Sequence, residues 1–421
     1  MAKKSISHAP TQRPWLAKEL FFSYYLGMKR NISIYPWLKF FQSLTFWQAT
    51  WFLYFESELS AAEAVLLYII LDVTVTVLEI PSGYMSDRIG RKPTLLGAGV
   101  CAVCAAVLLS IGGGFAQFAL ANGLLGAALA FTSGTDSSLL YESLRAEDRS
   151  AEIESAELNA WRFSFIAMAL SALLGGMLAN YDHVFPYVAT AISSCVALGV
   201  TTLLHEPPHA KLVRHRDNLR SLTASLTHPT LLWLFGMTLT MYVFSHVPYV
   251  FGQPFMREAL STAGYDSQTP LISGAVTFVM MFFSICVSWG AMRLRIQLGL
   301  PKLLLLAMGM QIFLIAALAI SNGIFVIALL MFRMVPDSLS QPFVRARIQP
   351  LLGDGMRATY FSIQSLAGRV LFAVMLSVSA GRISGSGTLP YSDLQFILSA
   401  FVGLGLIILF SLGLIAKRSG V

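Results

Sequence analysis

The chain is short of charge. Only 12% of its 421 residues are Asp, Glu, Lys or Arg, about half the share of an ordinary soluble domain. That deficit excludes a water-soluble protein of this size, because too little polar surface remains to cover it. Cysteine is scarce too. Cys101, Cys104, Cys195 and Cys286 all lie in apolar runs, where the Cys101–Cys104 spacing lacks the further ligands of a zinc or redox site. They read as small packing residues, and no metal is expected. Also missing is a cleavable leader, since no apolar core precedes a small-residue cleavage site in the first 30 residues. No nucleophile elbow, phosphate loop or paired catalytic carboxylates occur, so no catalytic residue is assigned and an enzyme is not expected. His205-Glu206-Pro207-Pro208-His209 copies the spacing of a zinc-protease string. That chemistry needs both histidines on one helical face, which two consecutive prolines prevent.

What is abundant is apolar. Hydrophobic residues make up 56% of the chain, the mean hydropathy is +0.67, and runs of about 20 such residues recur, each able to cross a bilayer. Spans are expected at 33–55, 63–84, 94–113, 116–140, 157–180 and 184–204, then 229–255, 270–291, 301–320, 323–344, 357–381 and 393–415. The pattern predicts an all-α integral membrane protein of twelve transmembrane helices. The longest internal polar stretch divides them into bundles at 33–204 and 229–416, with a central loop at 205–228 and tails at 1–32 and 417–421. Within the first tail, Trp15–Met28 has the make-up of an interfacial helix.

The net charge of +7 is a topology signal and not a nucleic-acid signal. With the N-terminus inside, basic residues crowd the inner segments: the tail, Arg88, Arg91, Lys92, Arg145, Arg149, the central loop, Arg293, Arg295, Lys302, Arg345, Arg347 and Arg357. The outer loops hold only Arg257 and Arg382 beside acids such as Glu56, Glu58 and Asp182. That asymmetry places both termini in the cytoplasm, most simply beneath a bacterial inner membrane. The halves carry a faint repeat, Thr135-Asp136-Ser137 against Pro336-Asp337-Ser338, and Arg162-Phe163-Ser164-Phe165 against Arg369-Val370-Leu371-Phe372.

After the second span the chain reads Gly83-Tyr84-Met85-Ser86-Asp87-Arg88-Ile89-Gly90-Arg91-Lys92-Pro93. Gly83 admits a close helix, Asp87 suits the positive end of a facing helix, and Gly90 permits a tight turn. This run resembles the G-x-x-x-D-R-x-G-R-K loop signature of the major facilitator superfamily at every specified position. The resemblance implies two pseudo-symmetric six-helix bundles and a cytoplasmic latch built from Gly83, Asp87, Arg88, Gly90, Arg91 and Lys92, seated on the eleventh helix near Arg357–Thr359. A worn counterpart, Gly290-Ala291-Met292-Arg293-Leu294-Arg295 with Gly299 and Lys302, lacks the aspartate.

Ionisable residues within or near apolar runs are Lys39, Asp72, Glu79, Asp136, Arg162, Arg333, Asp337 and Arg369. A central charge costs roughly 2.5–3.5 kcal/mol on insertion scales, so these are expected to pair or to line water. Arg333 and Asp337 have the helical spacing to meet. By resemblance, the inner gate pairs Asp136 with Arg369 and Asp337 with Arg162, with Glu79 beside the latch. Asp72, the most isolated acid, joins Asp337 and His246 as a proton-coupling candidate.

The resemblance also implies a cavity lined by the first, fourth, seventh and tenth helices. Each carries polar or aromatic residues at helical spacing: Thr45, Gln48 and Phe52; Asn122 and Ser133; Tyr242, His246 and Tyr249; Arg333 and Gln341. This content suits a small organic molecule. The expectation is a secondary transporter working by alternating access as a monomer, with no cofactor, and a proton as coupling ion. Antiport export is favoured over proton-driven import of an organic nutrient or siderophore. Asn122 before Gly126, and Ser171–Gly176, depart from the patterns of the proton-coupled drug exporters at the fourth and fifth helices.

Overall fold

The computed structural model describes residues 14–59, 61–207, 227–262, 269–321, 328–353, 356–380 and 391–417, and among them there is no strand. The helices are α1 Pro14–Gln42, α2 Trp51–Glu58, α3 Ala61–Ile89, α4 Arg91–Ile111, α5 Phe115–Thr132, α6 Thr135–Ala146, α7 Ile153–Tyr181 and α8 Phe185–Thr202. After the central loop come α9 Pro229–Thr262, α10 Thr269–Leu298, α11 Leu300–Ile320, α12 Val335–Ile348, α13 Arg357–Ala380 and α14 Tyr391–Ala416. Among the described residues, nine segments are long and apolar enough to cross a membrane. The expected first, tenth and eleventh spans are not among them; the first and tenth are interrupted, and the eleventh, Arg357–Ala380, is a continuous helix.

Local chemistry sets the boundaries. Pro186, Pro301 and Pro336 open α8, α11 and α12, where a missing N–H costs nothing. Gly90 takes φ +129° between α3 and α4, a conformation that L side chains disfavour. The first span breaks after Gln42 into a 3-10 turn, Phe46–Ala49, before α2. The fourth breaks at Gly134, which is left-handed with φ +69°, so that Asp136 falls in the first turn of α6. The tenth turns at Met331–Met334, so that Asp337 falls in the first turn of α12. The faint repeat seen in the sequence therefore marks two matching helix breaks, each followed by an acid at a favourable helix start.

Apolar packing falls into separate clusters. One joins α9, α11, α12, α13 and α14 through Phe244, Phe343, Tyr360 and Phe401. Two smaller ones serve the first part of the chain, around Tyr35 with Leu139, and around Tyr54 with Phe118. A fourth, with Phe165, Met280 and Met281, lies on the seam between α7 and α10. Large exposed apolar residues such as Val77, Ile111, Trp289 and Phe410 are what lipid-facing helix surfaces require.

Candidate functional site

The latch motif occupies the end of α3 and the start of α4, and it reaches across to the second half of the chain. Asp87 accepts hydrogen bonds from the Thr359 hydroxyl at 2.6 Å, the Thr359 N–H at 2.9 Å and the Ala358 N–H at 3.3 Å. A carboxylate thus caps the start of α13, where unsatisfied N–H groups and the helix dipole attract it. Gly83 explains the close approach. A Cβ there would meet the Ser362 side chain and sit 2.9 Å from the Ala358 carbonyl oxygen.

Arg91, only 1% exposed, ties this contact to α6. Its guanidinium donates to Asp87 at 2.5 Å, to the Ser86 hydroxyl at 3.0 Å, and to both oxygens of Glu142 at 2.7 and 3.1 Å. Arg357, the first residue of α13, reaches Glu142 at 3.4 Å and stacks on Tyr141 with 4.8 Å to the ring centroid. Glu206 then caps α4, accepting from the Arg91 and Lys92 N–H groups at 2.8 and 2.7 Å. Just before it, the His205 N–H donates to Asn31 Oδ1 at 2.8 Å, and Asn31 Nδ2 donates back to the His205 carbonyl and to Ser143. Partial burial, with Arg30 and Lys92 nearby, pushes the His205 imidazole below its ordinary value. His205 and Glu206 bind here as a tether; Pro208 and His209 of the string lie outside the described residues. Arg88, at the exposed side of the motif, lies over the Tyr84 ring.

The worn counterpart in the second half also makes a contact. Arg295 of α10 donates to Glu154 of α7 at 3.0 Å, with both side chains about a quarter exposed (23% and 27%). A second polar junction lies behind it. Lys39 pairs with Asp136 at 2.7 Å, Ser137 donates to the buried Glu157, and Gln349 beyond α12 donates to Ser137 at 3.1 Å.

The charge pairs differ from those the resemblance implies. Asp136 meets Lys39 and not Arg369, and Arg369 meets Asp72. The reason is register: α13 runs antiparallel to α3, so once Thr359 sits on Asp87, climbing both helices brings Arg369 to the stretch of α3 between Glu79 and Asp72, from which its long side chain reaches Asp72. Asp72 is therefore not an isolated acid. Asp337 meets not Arg162 but Ser245 of α9 at 2.9 Å and Gln311 of α11 at 3.5 Å. Arg162 points at α10, donating to the Ser288 carbonyl at 2.8 Å and its hydroxyl at 3.3 Å. The Arg333–Asp337 spacing does not act as one helical turn, because the chain breaks between them.

The cavity candidates disperse. Thr45 donates to Gln48 at 3.1 Å in the break before α2, where Phe52 belongs to α2 but its side chain is outside the described residues. Asn122 is buried and donates to its own helix at Phe118. Ser133 donates to Glu79 at 2.6 Å. Tyr242 and His246 stack with centroids 4.0 Å apart, and His246 Nδ1 bonds the Tyr242 carbonyl at 2.8 Å. The Tyr249 side chain is outside the described residues. Arg333 and Gln341 are half-buried in and after the break of the tenth span. Sequence reasoning passed over Glu142, Glu157, Glu206 and Gln311. The first three sit near span ends, where an acid ordinarily means solvent, and Gln311 lies within an uncharged apolar run. Among the described residues no cluster of His, Cys, Asp and Glu is placed to hold a metal.

Comparison with known proteins fits this geometry. The profile of the Major Facilitator Superfamily matches residues 20–376, and the chain belongs to that superfamily: it is a membrane transporter and not an enzyme. No curated protein matches it. Among solved structures, the human organic anion transporter MFSD10 (TETRAN) superposes with a TM-score of 0.67 at 15% identity, covering 91% of this chain and 99% of that one. A bacterial homologue of the iron transporter ferroportin, in an outward-facing state, gives 0.67 at 15% identity over 91% and 98%. A variant of the nucleoside transporter NupG gives 0.61 at 14% over 92% and 99%. At these identities the likeness is one of fold.

Proposed function

We propose that the chain is a proton-coupled antiporter that exports a small organic molecule across a bacterial inner membrane. In this reading twelve spans form bundles at 33–204 and 229–416, joined by a cytoplasmic loop, with both termini in the cytoplasm and the monomer as working unit. The bundles rock about a midplane site. The observation that carries the reading is the set of polar bonds between the two halves, the enclosed Asp87 to Thr359 and the partly exposed Asp72 to Arg369. Each is reversible, and each must break or re-form as the bundles move, which a passive pore does not require. The stacked Tyr242–His246 pair and the amide of Gln341 favour an organic solute. The similar structures are an organic anion transporter, a homologue of an iron transporter and a nucleoside transporter, so the fold leaves cargo to these side chains.

The test uses inside-out vesicles holding the protein, an acid interior and a pH-sensitive dye. Cationic, neutral and anionic compounds are added in turn. Collapse of the gradient by one class, only with active protein, supports antiport. Compound uptake driven by an acid exterior in right-side-out vesicles overturns export in favour of import. Silence in both orientations overturns proton coupling.

A further inference from the structure

A single arginine serves two acids on one helix. Asp72 and Glu79 are seven residues apart on α3, two turns, and so share a face about 10 Å apart along the axis. That face stands roughly a quarter turn from the exposed apolar stripe of Ile69, Val73, Val77 and Tyr84, and it looks toward α13. Arg369 of α13 holds Asp72 through one terminal nitrogen, while its Nε is buried with no hydrogen-bond partner. Glu79 is 0% exposed. Its Oε1 accepts from Ser133, and its Oε2 is enclosed with no hydrogen-bond partner. A donor and an acceptor are therefore both left over, on the two groups that flank the Asp72 pair.

Other groups face this cluster without neutralising Glu79. The Ser365 hydroxyl of α13 lies beside the Glu79 carboxyl as a weak donor, Arg369 faces it from the same helix, Arg345 from α12 at longer range, and Tyr242 from α9. His246 of α9 faces Arg369 and Asp72. An ionised Glu79, enclosed with one oxygen unsatisfied and its nearest guanidinium committed elsewhere, carries a desolvation cost that a proton removes.

We infer that Glu79 is a proton-carrying group and that Arg369 passes between it and Asp72. In the arrangement seen here Asp72 is ionised against Arg369 and Glu79 holds a proton on Oε2. Asp72, with a side chain 44% exposed, takes a proton from water on the outer side. Arg369 is released and moves onto Glu79, whose proton leaves toward the end carrying the latch motif. Net charge in the cluster is unchanged, and one proton advances two turns along α3. Because Arg369 and the acids belong to different halves of the chain, the exchange alters a bond across the interface. The inference deepens the proton-coupled reading and rests on it for its part in transport, though the site is measurable without transport.

The test is infrared difference spectroscopy of the full chain in lipid nanodiscs at neutral pH, with glutamate carboxyl groups isotopically labelled to separate them from aspartate. Wild type minus Glu79→Gln is expected to show a protonated-carboxyl stretch that shifts with the glutamate label. Glu79→Asp should restore a protonated carboxyl that no longer shifts. The sharper arm is Asp72→Asn, which leaves Glu79 in place and frees Arg369 for it, so the glutamate band should disappear. A merely structural Glu79 keeps its band in Asp72→Asn, and that result overturns the exchange. Absence of the band from wild type overturns the protonation. Band behaviour as expected alongside failed vesicle transport keeps the site and removes its coupling role, whereas intact proton-driven transport without the band does the reverse.

Discussion

At the end bearing the latch motif, the corner after α3 is fastened by a buried network, while the corner after α10 is fastened by one partly exposed ion pair. Arg91 satisfies Asp87, Ser86 and Glu142 together from a position closed to solvent, and Asp87 also caps α13. Arg295 and Glu154 meet once, each about a quarter exposed (23% and 27%). The corners are built alike, each turning at a glycine with positive φ, Gly90 and Gly299, so backbone geometry is not what separates them. Burial is. An exposed pair contributes little because water competes for it, whereas a buried network is costly to leave half made.

The largest effect that sharpens this contrast is expected from Arg91→Ala. It removes the cation that Asp87 and Glu142 share and leaves Glu142 only its longer contact with Arg357, at a cost of about 3–5 kcal/mol. Thermal unfolding in detergent reads it, and a midpoint near wild type would show the network to be no stronger than a surface pair. Asp87→Asn is milder, since the amide keeps one acceptor. Hydrogen bonds to a charged group contribute about 1.5–3 kcal/mol, so thiol labelling of Ala346→Cys, buried at the same end, should quicken about tenfold or more. Unchanged labelling would detach Asp87 from closure.

Smaller still is the response of the tether at His205. Its docked imidazole lies below the ordinary value, so docking is fully stable above pH ~6.5 and weakens as pH falls from there toward the docked value. Proteolytic nicking of the central loop should therefore rise on acidification, and His205→Gln should flatten that dependence; an equal rise in the variant would assign it elsewhere. Least of all, Arg295→Gln should change stability by under about 1 kcal/mol. A loss as large as that of Arg91→Ala would erase the distinction between the corners.

Much of this was legible in the residues. Run lengths and the basic bias announced a helical membrane protein, and Gly83 to Lys92 announced both the family and the seat of Asp87 near Arg357–Thr359. The faint repeat at Asp136 and Asp337 pointed to real structure, though its meaning, a helix break, was hidden because Gly134 and Arg333 sit within otherwise continuous apolar runs. Charge pairing was not legible. Partners such as Arg369 for Asp72 depend on the register of two helices almost 300 positions apart, and no local spacing encodes it. Span-end acids such as Glu142 and Glu157 were passed over because sequence does not distinguish an acid turned inward from one turned to water.

The seam between α7 and α10 bears on how such a molecule moves. A Cβ on Gly274 of α10 would sit 2.5 Å from the Ala172 carbonyl oxygen and 3.3 Å from the Gly176 Cα of α7. At this point backbone lies on backbone, while Phe165, Met280 and Met281 mesh elsewhere along the seam. Interlocked side chains act as gear teeth and favour discrete settings, whereas this one glycine contact is a plain bearing about which the toothed remainder of the seam can pivot. One added methyl at Gly274 is grit in that bearing. Its penalty would appear as friction, a slower turnover at unchanged affinity, before it appeared as lost stability.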